Sequence, residues 1–368
     1  MRTIVVSGIN LFTGGTLKVM QECILALSFF AGDRYEVVAL VHNEKQHVSY
    51  PNVRYISFPK SRQSYLYRLY YEYIGFKKLS KQLKPFVWLS MHDTTPNVTA
   101  EKRMVYCHNP FPFYKAGCRD LLLQRNIFFF SIFSKYMYRI NIKKNDYVIV
   151  QQEWMREMFR KMFGINNVVV SLPVFSQLAK EKIKTGCSDT KNKKITFFYP
   201  ATPMTHKNFE LVCEAAALLE KDSSMDFTVL LTTDGTENKY AKWLYKNYQL
   251  VKSIRFIGFV GREDMISYYR NCDCILFPSK AETWGLPITE AKEHEKPVLV
   301  SDLPYAKETV GKYNKVKFFN PENAKQLASE MKDFIQGTIV YDESKDIVYN
   351  EPFMQDWDGL ISFLFANE

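Results

Sequence analysis

Long apolar runs are absent from this chain of 368 residues. No stretch approaches the roughly 18 apolar residues that a membrane-spanning helix needs, so the sequence predicts no transmembrane segment. The first residues lead directly into a predicted strand, without the pattern of a secretory signal peptide. The seven cysteines are scattered and form no C-x-x-C pair, which argues against a zinc site and favours reduced thiols in the cytoplasm.

Acidic residues are scarce in the first half of the chain. Residues 1–172 carry 24 lysines and arginines against 11 aspartates and glutamates, whereas the remainder carries 25 against 28. The positive charge is concentrated in two aromatic-rich stretches, 60–84 and 115–144, which we predict to be helical. Such stretches are typical of contacts with a membrane surface or with nucleic acid. No nucleic-acid-binding motif accompanies them, so we favour contact with a membrane surface. The alternative is that the aromatic side chains of these helices face the protein core and the basic side chains face the solvent.

The length of the chain suits two domains of about 150 to 200 residues each. A polar, lysine-rich stretch at 177–194 is typical of an interdomain connection. The sequence therefore predicts an N-terminal domain over 1–176 and a C-terminal domain over 195–345.

Short apolar runs alternate with helical patterns in both halves, which predicts an α/β fold with mostly parallel sheets. The predicted strands of the first half are 4–6, 35–41, 53–56, 86–89, 104–106 and 147–150. Those of the second half are 195–199, 227–231, 254–257, 274–277 and 298–300. Ligands of such sheets bind beyond the carboxyl ends of the strands, so the loops that follow the strands are the candidate sites.

Two glutamates eight positions apart, Glu282 and Glu290, occupy the most informative of these loops. They belong to the run FPSKAETWGLPITEAK at 277–292, between a predicted strand and a predicted helix. Gly285 allows a sharp turn, and the amide groups that follow it at a helix N-terminus favour a bound anion. Two acids around a phosphate-binding turn suit a ligand that has hydroxyls at both ends and phosphates in the middle. A nucleotide sugar is such a ligand.

This run resembles the signature of the retaining GT-B glycosyltransferases often called family 4, in which two glutamates at this spacing enclose Gly-Leu-Pro. The resemblance implies two Rossmann-like domains that face each other across a cleft. It also implies a closing helix, within 346–368, that crosses back to the first domain. In the family the glutamate at the position of Glu282 contacts the donor sugar, and the one at Glu290 holds the ribose hydroxyls. The donor site would also include Thr283, Gly285 and Leu286.

The same resemblance assigns a diphosphate-binding role to Lys207, which follows a predicted strand and precedes a predicted helix. Its neighbour His206 is a candidate helper or a solvent-exposed side chain. The family usually adds an arginine in a Gly-Arg dipeptide, but this chain has Pro-Ala-Thr at 200–202, so the second positive charge is missing or comes from elsewhere. No Asp-x-Asp follows a predicted strand, and we expect neither a metal ion nor another cofactor. The nucleobase would lie against the loop formed by Gly258, Phe259 and Val260.

The first half contributes candidates at three loops. Gly14 and Gly15 stand where the family brings a glycine-rich loop close to donor and acceptor, although the G-x-G-x-x-G spacing of dinucleotide sites is absent. His108 follows a strand where the family often has a histidine near the anomeric centre, and a neutral imidazole there could bind the donor sugar or relay a proton. His92 and Asp93 are candidates for orienting the acceptor, with simple loop capping by Asp93 as the alternative.

Together these features predict a retaining, metal-independent glycosyltransferase at the inner face of the cytoplasmic membrane. We expect it to move a sugar from a nucleotide-diphosphate donor to a polyprenyl-diphosphate-linked glycan, in the assembly of a capsule, O-antigen or lipopolysaccharide. One alternative is a nucleotide-sugar 2-epimerase of the same fold, for which a basic surface is unsuited. Another is a non-catalytic membrane adaptor, suggested by the missing Gly-Arg. A nucleic-acid binder is the third, and we expect no such partner.

Overall fold

Parallel strands and helices alternate along the computed structural model, which describes residues 1–12, 14–173 and 194–366. Its strands are β1 (Arg2–Gly8), β2 (Tyr35–Val41), β3 (Val53–Ser57), β4 (Val87–Ser90), β5 (Lys102–Cys107), β6 (Tyr147–Val150), β7 (Val168–Ser171), β8 (Ile195–Tyr199), β9 (Phe227–Leu231), β10 (Ile254–Phe256), β11 (Cys274–Phe277), β12 (Val298–Ser301), β13 (Val316–Phe319) and β14 (Phe353–Met354). Its helices are α1 (Gly14–Ala31), α2 (Tyr65–Tyr70), α3 (Phe76–Leu83), α4 (Cys118–Leu123), α5 (Arg125–Arg139), α6 (Glu153–Phe163), α7 (Phe209–Leu219), α8 (Lys239–Tyr248), α9 (Arg262–Asn271), α10 (Leu286–Glu293), α11 (Pro304–Val310), α12 (Ala324–Gln336) and α13 (Trp357–Leu364).

The described residues form two units, each assembled from more than one stretch of the chain. The first unit contains those within 1–109, 133–180 and 349–368, and the second contains those within 110–132 and 181–348. Residues 110–132 therefore pack with the second unit, although they lie inside the range expected for the first domain. The expected connection at 177–194 lies outside the described residues, apart from Lys194.

The first unit is built on an eight-stranded sheet among the residues that the structure describes. Its order is β14-β7-β6-β5-β4-β1-β2-β3, and neighbouring strands are parallel. Helices α1 and α13 pack on one face, where Ile4, Val6 and Leu89 point. Phe76 of α3 packs on the other face against Trp88. Because helices cover both faces of this sheet, the side chains on both sides of its strands are mostly apolar, and the strands are nearly continuous apolar runs in the sequence.

The end of the chain returns to the first unit by a strand before it forms a helix. Phe353 and Met354 extend the sheet beside β7, and α13 begins only at Trp357. The fully buried guanidinium of Arg156 donates to the carbonyl oxygens of Asn350, at 2.6 Å, and Pro352, at 2.5 Å. These bonds hold the returning segment extended, so the predicted closing helix is shorter than its apolar pattern suggests.

The second unit is built on a six-stranded parallel sheet among its described residues, in the order β10-β9-β8-β11-β12-β13. Strand β13 was not predicted, because Lys317 interrupts its apolar pattern. The ammonium of Lys317 lies 2.9 Å from the carboxylate of Asp342, which satisfies the charge inside the sheet region. Strands β7 and β14 were also missed; β14 has two residues and lies at the edge of the sheet, and β7 is the four-residue strand beside it.

The packing of α13 on α1 predicts a large cost for truncating Leu360, whose side chain is fully buried in the core of the first unit. We expect Leu360→Ala to lower the free energy of unfolding by about 2–5 kcal/mol, because the cavity cannot collapse completely. The matched control is Leu250→Ala, since Leu250 is 88% exposed. Thermal melting followed by circular dichroism checks the difference, and equal melting temperatures would mean that α13 adds nothing to the core.

Candidate active site

Lys207 and Glu282 form an ion pair beyond the carboxyl ends of two adjacent strands. Lys207 follows β8 and Glu282 follows β11, and these strands are neighbours in the sheet. The Nζ atom of Lys207 donates to the Oε1 atom of Glu282, and the two side chains are 19% and 14% exposed. The structure thus brings together two predicted catalytic residues that are 75 positions apart in the sequence.

The turn that carries Lys207 is held by three hydrogen bonds from two side chains. The hydroxyl of Tyr199 donates to the carbonyl oxygen of Lys207 at 2.6 Å. Asn208 adopts the left-handed backbone conformation, with φ of 58°, which asparagine tolerates better than most residues. Its side-chain amide donates to the carbonyl oxygens of Pro278 and Pro321, at 3.1 and 2.8 Å. The ammonium group of Lys207 therefore projects from a fixed backbone.

Gly285 and Glu290 lie at opposite ends of the first two turns of α10. Gly285 has φ of 85°, and a Cβ atom there would lie 3.2 Å from both Ile288 and Phe277, so only glycine fits without strain. Glu290 is half-buried, and one of its carboxylate oxygens accepts a hydrogen bond from the hydroxyl of Tyr269 at 2.6 Å. Burial and the nearby carboxylate of Glu290 raise the pKa of Tyr269 well above its usual range, so this hydroxyl stays protonated. The bond orients the Glu290 carboxylate.

The predicted nucleobase loop follows β10 in the second unit. Gly258 has φ of 74°, and a Cβ atom there would lie 3.4 Å from a carboxylate oxygen of Asp234. Val260 is buried and anchors the loop, whereas the ring of Phe259 is 90% exposed. An exposed aromatic ring on a fixed loop is a surface on which a planar base can stack.

His206 is buried, which excludes the exposed position considered for it from the sequence. Its ring packs edge-to-face on Phe111, with centroids 5.0 Å apart. Burial, and then the adjacent charge of Lys207, lowers the pKa of His206 well below its usual range. The ring is therefore neutral at pH 7 and supplies no second positive charge beside Lys207.

Residues 110–132 pack against the turn before Lys207, a contact that was not predicted from the sequence. The hydroxyl of Thr205 donates to Asp120 at 2.5 Å, and its backbone N–H donates to the side chain of Gln124 at 2.7 Å. On the same helix, Arg119 pairs with the buried carboxylate of Glu210. The partners are more than 80 residues apart in the chain, so no local sequence pattern signals them.

In the first unit, Gly14 and Gly15 form the start of α1. Gly14 has φ of 61°, and outside its chain neighbours and the backbone of α1 no described residue has a heavy atom within 4 Å of the place where its Cβ would be. The backbone conformation therefore favours glycine there, and the space beside it is open within the described structure. Whether a ligand uses this space stays a prediction.

Asp93 and His108, which follow the adjacent strands β4 and β5, lie in contact. One carboxylate oxygen of Asp93 accepts a hydrogen bond from the backbone N–H of His108 at 2.7 Å, and the other lies 3.7 Å from Nε2 of the imidazole. Asp93 thus caps the loop and also faces the ring. His92 is fully buried, with Nε2 3.2 Å from the hydroxyl oxygens of Ser7 and Ser90. The acceptor roles of His92 and Asp93 stay predictions.

Comparison of the sequence with known families agrees with this arrangement. Residues 181–351 match the family described as "Glycosyl transferases group 1". The O-antigen chain mannosyltransferase RfbU of Salmonella typhimurium is 21% identical over 293 residues, which cover 78% of this chain and 76% of that protein. No described helix is both long and apolar enough to cross a membrane.

Comparison of the structures identifies the fold. The lipopolysaccharide outer core galactosyltransferase WaaB superposes with a TM-score of 0.62 at 12% identity, over the whole of both chains. Anabaena HepE in complex with UDP-glucose superposes with a TM-score of 0.54 at 14% identity, over 92% of this chain and 91% of that one. These proteins are GT-B glycosyltransferases, so the predicted α/β GT-B fold is confirmed. In sequence, residues 181–351 are similar to the group 1 glycosyl transferases.

Proposed function

We propose that this protein is a retaining glycosyltransferase that moves a sugar from a nucleoside diphosphate to a lipid-linked glycan. The observation that carries the proposal is the ion pair of Lys207 and Glu282 beside the Gly285 turn. Transfer of this kind needs a cation at the leaving diphosphate and negative charge near a sugar that becomes positively charged in the transition state. In the second unit, the loops that follow β8 and β11 supply the cation and the negative charge.

Lys207 binds the diphosphate in this proposal. Its ammonium replaces the divalent ion that other transferases use, so the reaction proceeds without a metal. The backbone amides after Gly285 add partial positive charge at the N-terminus of the eight-residue helix α10. Glu282 contacts the donor sugar, and in a retaining transfer the leaving phosphate takes the proton of the acceptor hydroxyl on the same face.

The nucleoside end of the donor is bound by Glu290 and by the loop after β10. The carboxylate of Glu290, oriented by Tyr269, accepts hydrogen bonds from the ribose hydroxyls. The exposed ring of Phe259 stacks on the base, with Gly258 and Val260 as backbone partners. Thr283, Gly285 and Leu286 complete the donor site.

The relatives support a hexose donor and a bacterial surface glycan as the acceptor. RfbU is named an O-antigen chain mannosyltransferase, and WaaB a lipopolysaccharide galactosyltransferase. HepE was solved with UDP-glucose, which supports a nucleotide sugar as the donor. We therefore propose transfer of a hexosyl group, with mannose favoured, to a polyprenyl-diphosphate-linked glycan of O-antigen or capsule type.

The surface of the first unit supports a site of action at the inner face of the cytoplasmic membrane. Leu66 of α2 is 76% exposed and Ile74, in the π-helical turn Tyr71–Gly75, is 50% exposed. The adjoining helix α3 presents exposed lysines, and its C-cap is a further lysine. Apolar side chains beside clustered lysines suit an anionic lipid interface. The exposed lysines of this surface are Lys77, Lys78, Lys81 and Lys84.

The diphosphate role of Lys207 predicts a selective loss of affinity. One of UDP, GDP and dTDP should bind the wild-type protein in calorimetry without magnesium. In Lys207→Ala the dissociation constant of that nucleoside diphosphate should rise about 10- to 100-fold, the value of one charge-assisted hydrogen bond, while the nucleoside binds as before. The control is Lys332→Ala, which breaks a surface ion pair with Asp222. Failure of UDP, GDP and dTDP alike to bind, or tight binding of the monophosphate CMP instead, would overturn the proposed function.

Glu282 should matter for turnover more than for nucleotide binding. We expect Glu282→Gln to lower kcat for nucleotide-sugar cleavage about 100- to 1000-fold, because the amide no longer stabilises the developing positive charge. The affinity for the nucleoside diphosphate should change little. Glu322→Gln, which removes an exposed carboxylate paired with Lys280, is the matched control. Equal losses in kcat and in affinity would instead mean that Glu282 binds the ground state and the transition state equally well.

The lysine-rich surface predicts reversible binding to anionic membranes. Replacing Lys77, Lys78, Lys81 and Lys84 by glutamine should weaken sedimentation with phosphatidylglycerol-containing vesicles at least tenfold, since each cation near such a surface contributes about 1 kcal/mol. The control replaces four exposed lysines of the second unit, Lys239, Lys242, Lys246 and Lys252. Equal sedimentation of the two variants would show that α3 is not the docking surface.

A further inference from the structure

A buried charge cluster lies at the carboxyl ends of β1 and β4 in the first unit, and the proposed chemistry does not use it. The carboxylate of Glu72 is fully buried in the π-helical turn after α2. It accepts hydrogen bonds from Arg68 at 2.6 Å and from the hydroxyl of Thr94 at 2.7 Å. A second nitrogen of Arg68 donates to the carbonyl oxygen of His92 at 3.0 Å. Buried charges of this kind are costly, and π-helical turns are frequent at functional sites.

The cluster fixes the loop that carries Asp93. Nδ1 of His92 lies 3.1 Å from the hydroxyl oxygen of Thr94 and 3.4 Å from the carboxylate of Glu72. Burial lowers the pKa of His92 even though Glu72 is close, so the ring is neutral and ties the loop to β1 and β4 by hydrogen bonds. Every side chain next to Asp93 in the sequence is therefore held in place.

Asp93 itself has an unusual backbone. Its φ is 69°, in the left-handed region that non-glycine residues seldom occupy. Its backbone N–H donates to the carbonyl oxygen of Tyr106 at 3.3 Å, and its own carbonyl oxygen lies 3.6 Å from Sγ of Cys107. This conformation turns the carboxylate of Asp93 toward His108. Strain of this kind persists only where the surrounding structure enforces it.

The imidazole of His108 has two unlike nitrogens. Nε2 faces a carboxylate oxygen of Asp93 at 3.7 Å, whereas Nδ1 is buried and has no hydrogen-bond partner among the described residues. The side chain of His108 is 7% exposed, so water does not replace the missing partner freely. Between the two neutral tautomers of the ring, a nearby negative charge favours the one that carries its proton on Nε2. Nδ1 then has a free lone pair, which accepts a hydrogen bond from a hydroxyl group.

We propose that Asp93 is a positioning residue that acts through His108. Supported by the Arg68–Glu72–His92 cluster, Asp93 holds the imidazole so that Nε2 is protonated and Nδ1 accepts a hydrogen bond from a sugar hydroxyl. This inference rests on the proposed function, because it assigns a sugar hydroxyl as the ligand of Nδ1. The role differs from direct orientation of the acceptor by Asp93.

The test is a double-mutant cycle with Asp93→Asn and His108→Ala. Asparagine keeps an oxygen for the backbone N–H of His108 but removes the charge that selects the tautomer. We expect Asp93→Asn to lower kcat for nucleotide-sugar cleavage at least tenfold in the wild-type background and less than twofold in the His108→Ala background. Affinity for the nucleoside diphosphate should stay the same. A full additional loss in the His108→Ala background would mean that Asp93 acts independently of His108, and the inference would fail.

The matched control is Asp146→Asn. A carboxylate oxygen of Asp146 accepts a hydrogen bond from the backbone N–H of Arg103 at 2.8 Å, so Asp146 caps the start of β5 as Asp93 caps its end. This variant should leave kcat unchanged. If Asp93→Asn and Asp146→Asn behave alike, the effect of Asp93 is one of loop capping only.

A spectroscopic measurement separates failure of this inference from failure of the proposed function. The 15N shifts of the His108 ring, assigned by comparison with His108→Ala, report the tautomer whether or not the protein turns over a sugar. We expect the Nε2-protonated tautomer in the wild-type protein and a shift toward Nδ1 protonation in Asp93→Asn. The same tautomer in both proteins would overturn the inference even if the transferase activity is established. Absence of nucleotide binding with the expected tautomer change would overturn only the proposed function.

Discussion

The parallel pairing of neighbouring strands is the constraint on which both candidate sites depend. Parallel strands end at a common edge, so the loops that follow adjacent strands meet there however far apart they are in the sequence. In the second unit, the pairing of β8 with β11 brings Lys207 to Glu282. In the first unit, the pairing of β4 with β5 brings Asp93 to His108. Each pair consists of a carboxylate and a basic group, because burying either group without a partner costs free energy.

Burial also decides which groups carry charge. His92 and His206 are both enclosed, and desolvation lowers the pKa of each. Neither histidine is a cation at pH 7, so the positive charges that remain in these clusters are those of Arg68 and Lys207. Arg68 is committed to the buried carboxylate of Glu72, whereas Lys207 is paired with the partly exposed carboxylate of Glu282. A ligand can compete for Lys207 at a much lower cost than for Arg68, which is why the second unit carries the proposed diphosphate site.

The segment that follows β5 has a structural role that its basic, aromatic composition does not reveal. The chain passes from the first unit to the second just after His108, and the segment then binds the turn before Lys207 through Asp120 and Gln124. Part of the aromatic content is used in this packing, as with Phe111 against His206. Other apolar side chains, such as Leu122, stay exposed. The same stretch therefore divides between core and surface.

The sequence alone determined the fold class and predicted the residues of the proposed donor site. Alternating apolar runs identify most of the buried parallel strands, and the spacing of Glu282 and Glu290 around Gly285 is a local pattern on one loop and one helix. Short edge strands such as β14 were not predicted, because two residues are too few to form a recognisable apolar pattern. Only the tertiary structure decided that Lys207 pairs with Glu282, that Asp93 faces His108, and that residues 110–132 belong with the second unit. These contacts depend on strand order and long-range packing, which a linear pattern does not encode.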